Sequence, residues 1–399
     1  MALYGTLKAA RLFWELLSKV LVEEWGFTIN PYDPCVAHKM VNGKQLTVVW
    51  HVDDLKISHE DEAVVREFID EQLRKRFGRI SPLSVADSKR DEYIGMTFDF
   101  SHEGKVEVSM DDYVMMMCQD LPKGMIGKAR SPAANHLYRV REVGRNILKE
   151  DQKEIFIRLV MQALYLSMRA RPDIRTAVSF LNTRLQDPDL DDWRKLGRLM
   201  KYLQATPDLP LTLESDGSGK IYWWIDASFA VHPDMKGHTG AMMSLGKGCL
   251  YAYSARQKIN TRSSTEAEVV GVYDNLPQME WTEKFLRAQG YDIDCTVLYQ
   301  DNMSAMLLEK NGKWSSSKRT KHMDIRYFYI KDKVDSKTVH IEHCPTKEML
   351  ADFFTKPLQG QLFYYIRDFI MNIDQNSKYH SSAQRSVLRS DVNDQGSTE

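Results

Sequence analysis

YWWIDAS (222–228) is the stretch that decides the fold of the carboxy-terminal half. Its aromatic and β-branched residues favour a strand. Within it Asp226 sits among apolar neighbours, where an unpaired carboxylate is costly. Three further acids follow in chain order. Glu266 lies in RSSTEAE (262–268), in the first turn of a long helix expected over 264–289, with Ser263 or Ser264 as its cap. Asp301 ends the strand TVLYQD (296–301) and opens a helix at DNMSA. Asp352 lies in EMLADFFTKPL (348–358), inside the last expected helix. Each acid alone has an ordinary reading: a salt-bridge partner, a favourable charge at a helix start, a helix cap, a surface acid. Together they supply what two-metal phosphodiester cleavage needs, several carboxylates converging from different elements. Oxygen donors of this kind suit magnesium.

Working outward, the strand at 222–228 is followed by TGAMMSLGKGCLYAYSARQ (239–257), with a hairpin turn at Gly246–Gly248. The long helix, the strand TVLYQD, two shorter helices, the strand TVHIEHC (338–344) and a final helix complete an α/β pattern of about 150 residues. Pro277 falls inside the long helix, where it predicts a kink or break. The polar run SDGSGK (215–220) reads as a domain boundary. Upstream, helical periodicity covers 7–25 and 152–203. Strand pairs are expected at 46–58 and at 93–101 with 105–110.

The 399 residues allow two or three domains. A hydrophobic fraction of 43% and a charged fraction of 27% suit a globular chain. No apolar run reaches the ~20 residues of a membrane-spanning helix. The opening residues lack a signal-peptide cleavage site, so secretion is not expected. Five scattered cysteines without a CxxC pair argue against a zinc site and for reduced thiols. A net charge of −1 means that any nucleic-acid binding must rely on local patches.

In sequence and order, IDAS, RSSTEAE, YQDNMSA, RTKHMDIRYFYIKDKV (319–334) and CPTKEMLADFFTK (344–356) resemble the ribonuclease H domain of copia-type LTR retrotransposons. The resemblance implies a ribonuclease H-like α/β domain with a mixed five-stranded sheet at 215–372. It also implies that Asp226, Glu266, Asp301 and Asp352 hold two Mg2+ ions, with Mn2+ as an alternative. The implied reaction is hydrolysis of the RNA strand of an RNA–DNA hybrid. Ser263, Ser264, Arg319, Lys321 and His322 are candidate contacts to substrate phosphates, although exposed solubilising residues look the same. Asp324 rivals Asp352, but it precedes the last strand, whereas the fold's fourth carboxylate follows it. Glu268 reads as a helix-surface acid, and His343 as a strand residue packed in place.

The resemblance continues through the amino-terminal half, in MALYGTLKAARLFWELL (1–17), GFTINPYDPCVAHK (26–39), YIGMTF (93–98) and RARPDIRTAVSFLNTRL (169–185). VVWHVDDLKIS (48–58) resembles the Tyr-Val-Asp-Asp hairpin of reverse transcriptases, with His51 in the tyrosine's place. Asp53 and Asp54 are then catalytic and Asp53 a metal ligand, although Asp-Asp is also common at ordinary turns. The implied α+β organisation is a truncated palm at 1–125 and a helical thumb and connection at 126–214. The ribonuclease H-like domain at 215–372 and a disordered polar tail at 373–399 follow. In the family the first catalytic Asp strand and the fingers precede the segment matching 1–17. The expectation is therefore hybrid cleavage without polymerisation by this chain alone. A catalytically inactive, nucleic-acid-binding relic is the alternative. Expected partners are the hybrid and other parts of the polyprotein, with no membrane, in the cytoplasm (within a virus-like particle) or the nucleus.

Overall fold

The computed structural model describes residues 6–79, 82–86, 88–141, 143–311 and 321–381. The chain forms two compact units: Met1–Gly95 with Glu280–Ile293, and Met96–Met279 with Asp294–Glu399. The polar run at 215–220 is a turn between two strands of the second unit.

In the first unit, the helix Leu7–Lys19 starts at Thr6, whose hydroxyl accepts a hydrogen bond from the Ala9 amide. It passes into a π-helical turn, Val20–Glu24. Four antiparallel strands follow in chain order: Thr28–Asn30, Asp33–Val41, Lys44–His51 and Asp54–Ser58. Alternation sets the third strand's inward face, so Leu46, Val48 and Trp50 are buried with Leu17, Leu21 and Phe68. The segment Glu280–Ile293 is tied in by side-chain bonds. Asn30 Nδ2 donates to the Phe285 carbonyl and Gln289 Oε1, both at 3.0 Å, and Trp281 Nε1 donates to the Tyr32 carbonyl.

The second unit carries the mixed five-stranded sheet expected from the sequence. Its strands are β1 (Lys220–Ser228), β2 (His238–Ser244), β3 (Tyr251–Arg256), β4 (Cys295–Gln300) and β5 (Val339–His343), in the order β3-β2-β1-β4-β5. β1, β2 and β3 pair antiparallel, while β4 runs parallel to β1 and β5 parallel to β4. The crossover from β3 to β4 is the long helix α1 (Ser264–Ala288). It is continuous through Pro277, so of the expected kink or break the break does not occur. Val272, Leu276 and Met279 are buried on either side of the proline, and that packing outweighs one lost backbone bond.

The helices Glu150–Ser167, Arg175–Asn182 and Leu190–Ala205 share a continuous core with this sheet's carboxy-terminal cover. Phe156, Leu199 and Phe180 belong to the same cluster as Met242, Phe354 and Phe363. At its centre lies a buried charge network. Arg171 forks onto Asp173 (Nε to Oδ1 2.9 Å, Nη2 to Oδ2 2.8 Å) and donates to Thr206, while the Tyr202 hydroxyl donates to Asp173 Oδ2. Of the stretch expected as a tail, Tyr379 is buried and accepts from Arg367, whereas residues 382–399 lie outside those described.

A second buried polar group joins β2 and β3. His232 Nε2 and His238 Nδ1 share a hydrogen bond of 2.9 Å, and His238 Nε2 lies 2.8 Å from Ser254 Oγ. Tyr138 covers both rings, at 5.1 and 5.3 Å between centroids. Burial and then Arg256 lower His232 to about 4, and burial lowers His238 well below its ordinary value. Both imidazoles are therefore neutral when folded, and the unfolded chain binds more protons once the pH falls below about 6.5. Stability is complete above that pH and is lost as the pH falls towards about 4, by roughly 3 kcal/mol for His232. Urea denaturation at pH 7.5 and 4.5 checks this, because His232→Gln is expected to flatten the difference.

Candidate metal centre

β1 alternates Ile221, Trp223 and Ile225 into one side of the sheet, and Asp226 belongs to the opposite side at the strand's end. Tyr299 of the parallel neighbour β4 stands beside Trp224, so Asp301, two residues on, stands level with Asp226. Gln300 fixes that turn, its Oε1 accepting from the amides of Asp301 (2.9 Å) and Asn302 (3.0 Å). The third acid comes from α1, and it is Glu268. Oxygens of Asp226, Glu268 and Asp301 all lie within 4.8 Å of one another.

Glu266, favoured on sequence, is not in this group. Residues two apart on a helix differ by about 200° in direction, so only one of the pair can face the sheet. Glu268 shares the sheet-facing side with Gly271 and Asn275, and is 4% exposed rather than a surface acid. Glu266 turns back to the helix start, where its carboxylate accepts from the Arg262 amide at 2.8 Å and its own amide donates to Ser263 Oγ at 3.2 Å. Ser263 is thus engaged in capping. Ser264 is exposed.

Asp352 opens a four-residue helix, α4 by chain position after Met303–Asn311 (α2) and Lys321–Asp335 (α3), rather than lying inside a long final helix. Lys356 caps it, Pro357 follows, and the next helix starts at Gly360. Asp352 is buried and is pushed up to about 6 by burial and then by Asp226. One turn on, Lys356 Nζ lies 2.5 Å from Asp352 Oδ1 and 3.7 Å from Asp226 Oδ2. Thr355 donates its hydroxyl to Asp226 Oδ2. Burial, then Asp226, Asp301 and Glu309, raise Glu268 well above the carboxylate range. Glu309, in α2, is fully buried and raised to about 8 by burial. Neither of its oxygens, nor Glu268 Oε2, has a hydrogen-bond partner among the described residues.

This donor set fits a divalent cation. Three buried or half-buried carboxylates repel one another unless protonated or bridged by positive charge, and all their donors are oxygens. Sequence reasoning missed Glu268, Thr355, Lys356 and Glu309. No signal in the sequence separates Glu268 from Glu266, because the packing of α1 on the sheet sets the register that selects it. Of the remaining candidates, Arg319 lies outside the described residues, as do the side chains of Lys321, His322 and Asp324. His343 ends β5 exposed rather than packed.

Gly240 of β2 faces Asp226 across the antiparallel pair, and a Cβ there would meet backbone and side-chain atoms of Phe354 and Thr355 at 2.8 Å. Gly240→Ala is therefore expected to push α4 off the sheet, costing about 1–3 kcal/mol. The loss should appear as a lower Tm, together with weaker metal uptake as Asp352 and Thr355 shift.

No protein-family model matches the chain. It is 33% identical over 366 residues to the retrovirus-related Pol polyprotein from transposon RE2 of Arabidopsis thaliana, covering 91% of this chain and 24% of that one. It is 26% identical over 376 residues to the corresponding polyprotein from transposon TNT 1-94 of Nicotiana tabacum, covering 92% of this chain and 28% of the relative. Over about 91% of its length the chain corresponds to a region of copia/Ty1-type retrotransposon Pol polyproteins. It spans about a quarter of the length of these relatives. LC11-RNase H1, isolated from compost, is similar to 34% of the chain and covers 91% of its own length, with 16% identity and a TM-score of 0.26.

The first unit of this Pol region carries the acidic hairpin. His51 pairs with Asp54, so the chain reverses through Val52 and Asp53, and both aspartates are exposed. Val52 has φ +56°, a left-handed conformation that a β-branched residue rarely adopts. The pairing of the flanking strands holds this strained turn, which carries the two carboxylates. No helix among the described residues is long and apolar enough to cross a membrane.

Proposed function

We propose that this Pol region hydrolyses the RNA strand of RNA–DNA hybrids, with Asp226, Glu268, Asp301 and Asp352 holding two Mg2+ ions. The observation that carries the reading is the convergence of Asp226, Glu268 and Asp301 from two parallel strand ends and a helix. Asp352 lies beside Asp226, in reach of its charge. When bound, such ions activate a water and stabilise the leaving oxygen.

The chain's own residues do the positioning. The Thr355 hydroxyl orients Asp226, and the Gln300 amide fixes the turn that bears Asp301. The cap made by Ser263 and Glu266 sets the start of α1 and hence the place of Glu268. Ser264, Arg319, Lys321 and His322 are proposed as phosphate contacts on sequence grounds. The hairpin at Asp53 and Asp54 is proposed as the metal-binding turn of a reverse-transcriptase palm.

The test uses purified chain with end-labelled RNA in three forms: single-stranded, paired with RNA and paired with DNA. Mg2+-dependent cutting confined to the hybrid is the expected result. No cutting of the hybrid in Mg2+ or Mn2+, or equal cutting of all three, contradicts the reading.

A further inference from the structure

We propose that Lys356 is a built-in counter-cation of the carboxylate site. It holds the position between Asp226 and Asp352 in the resting protein and admits a second divalent ion there only when it swings out. The inference rests on the reading of these acids as a metal centre.

The two halves of the site are unequal. On the Asp352 side, the ammonium lies 2.5 Å from Asp352 Oδ1 and 3.7 Å from Asp226 Oδ2. It thereby occupies Asp352 Oδ1, which an ion between these carboxylates would need, and its charge beside Asp226 opposes the ion's approach. On the other side, Asp226, Glu268 and Asp301 bring oxygens to within 4.8 Å of one another. Glu268 Oε2 has no hydrogen-bond partner among the described residues. An arriving ion finds donors there, and Lys356 is in ion-pair range of only one of the three acids, Asp226.

The local sequence explains the arrangement. Asp352 opens α4 and Lys356 is its C-cap, whose amide donates to the Asp352 carbonyl at 2.9 Å, so this single turn brings the two side chains together. Thr355, between them, donates to the same Asp226 oxygen that Lys356 approaches. The Lys356 side chain is 42% exposed, against 11% for Asp352, so the lysine has an open side and the aspartate does not. A long flexible stem with a compact charge suits a group that must both fill the position and leave it.

The probe is Mn2+, titrated into the wild-type chain, Lys356→Met and Lys356→Arg and followed by the electron paramagnetic resonance of the free ion. The wild type and Lys356→Arg are expected to bind one ion tightly and a second at least about tenfold more weakly. In Lys356→Met the second affinity rises about tenfold towards the first. A second affinity unchanged or weakened in Lys356→Met, with the first intact, overturns the role of Lys356 alone. No Mn2+ uptake by any of the three overturns the metal-centre reading itself. Should Lys356→Met fail to fold, as judged by circular dichroism, wild-type protein with 13C-labelled lysine decides. The Lys356 ε-carbon resonance is then expected to complete its shift with the second equivalent of Mg2+. Completion at the first equivalent overturns the proposal.

Discussion

Glu268→Gln is expected to abolish Mg2+-dependent cleavage of an RNA–DNA hybrid, whereas Glu266→Gln leaves the rate within a few-fold of wild type. Losing a partner in the outer shell of a metal site costs roughly 10–100-fold, so losing a ligand should cost about 100-fold or more. The contrast arises from helix geometry. Glu268 is buried in the group formed with Asp226 and Asp301, while Glu266 accepts from the Arg262 amide at the helix start. Folding should respond in the opposite sense. Burial and then its acidic neighbours disfavour the charged form of Glu268, so a neutral amide there should not lower the Tm in chelator. Glu266→Gln weakens a helix start and should lower it slightly. Single-turnover rates with thermal melts of both variants check the pair. Equal loss of rate in the two variants would place the ligand elsewhere.

Asp173→Ala is expected to be the most destabilising single change in the second unit. Asp173 is fully buried and is the shared acceptor for two Arg171 nitrogens and the Tyr202 hydroxyl. Removing it leaves the buried Arg171 charge without its carboxylate, which costs about 3–5 kcal/mol. Arg171 keeps its bonds to Thr206, which places the loss within that range rather than beyond it. An exposed pair is the control: Glu62→Ala, which breaks the contact with Arg66, should change stability by less than about 1 kcal/mol. Chemical denaturation followed by tryptophan fluorescence reads both. A loss for Asp173→Ala no larger than for Glu62→Ala would remove the network from the account of stability.

Much of the fold is legible in the sequence because its elements differ in period. The strands around Asp226 and Asp301 read as β-rich runs, and the helices at 150–205 show apolar spacing with Pro172 at a start. The hairpin at Asp53 and Asp54 was legible for the same reason, since alternation over Lys44–His51 sets one face inward. Choosing Glu268 over Glu266 was not possible from composition or motif. Both lie in the first turns of one helix, and only the packing of α1 on the sheet selects the register. Lys356 escaped notice because its meaning depends on Asp226, 130 positions away in the chain and 3.7 Å away in space. The His232–His238 pair was silent in the same way, being joined only when β2 lies against its neighbours.

The most direct measurement is single-turnover cleavage of a labelled RNA–DNA hybrid in Mg2+ by the wild-type chain and by Asp226→Asn. Asp226 is the acid that joins the triad to Thr355 and Lys356. The account predicts cleavage by the wild type, its loss in chelator, and at least about a 100-fold lower rate for a folded Asp226→Asn. Cleavage that survives Asp226→Asn unchanged would contradict it.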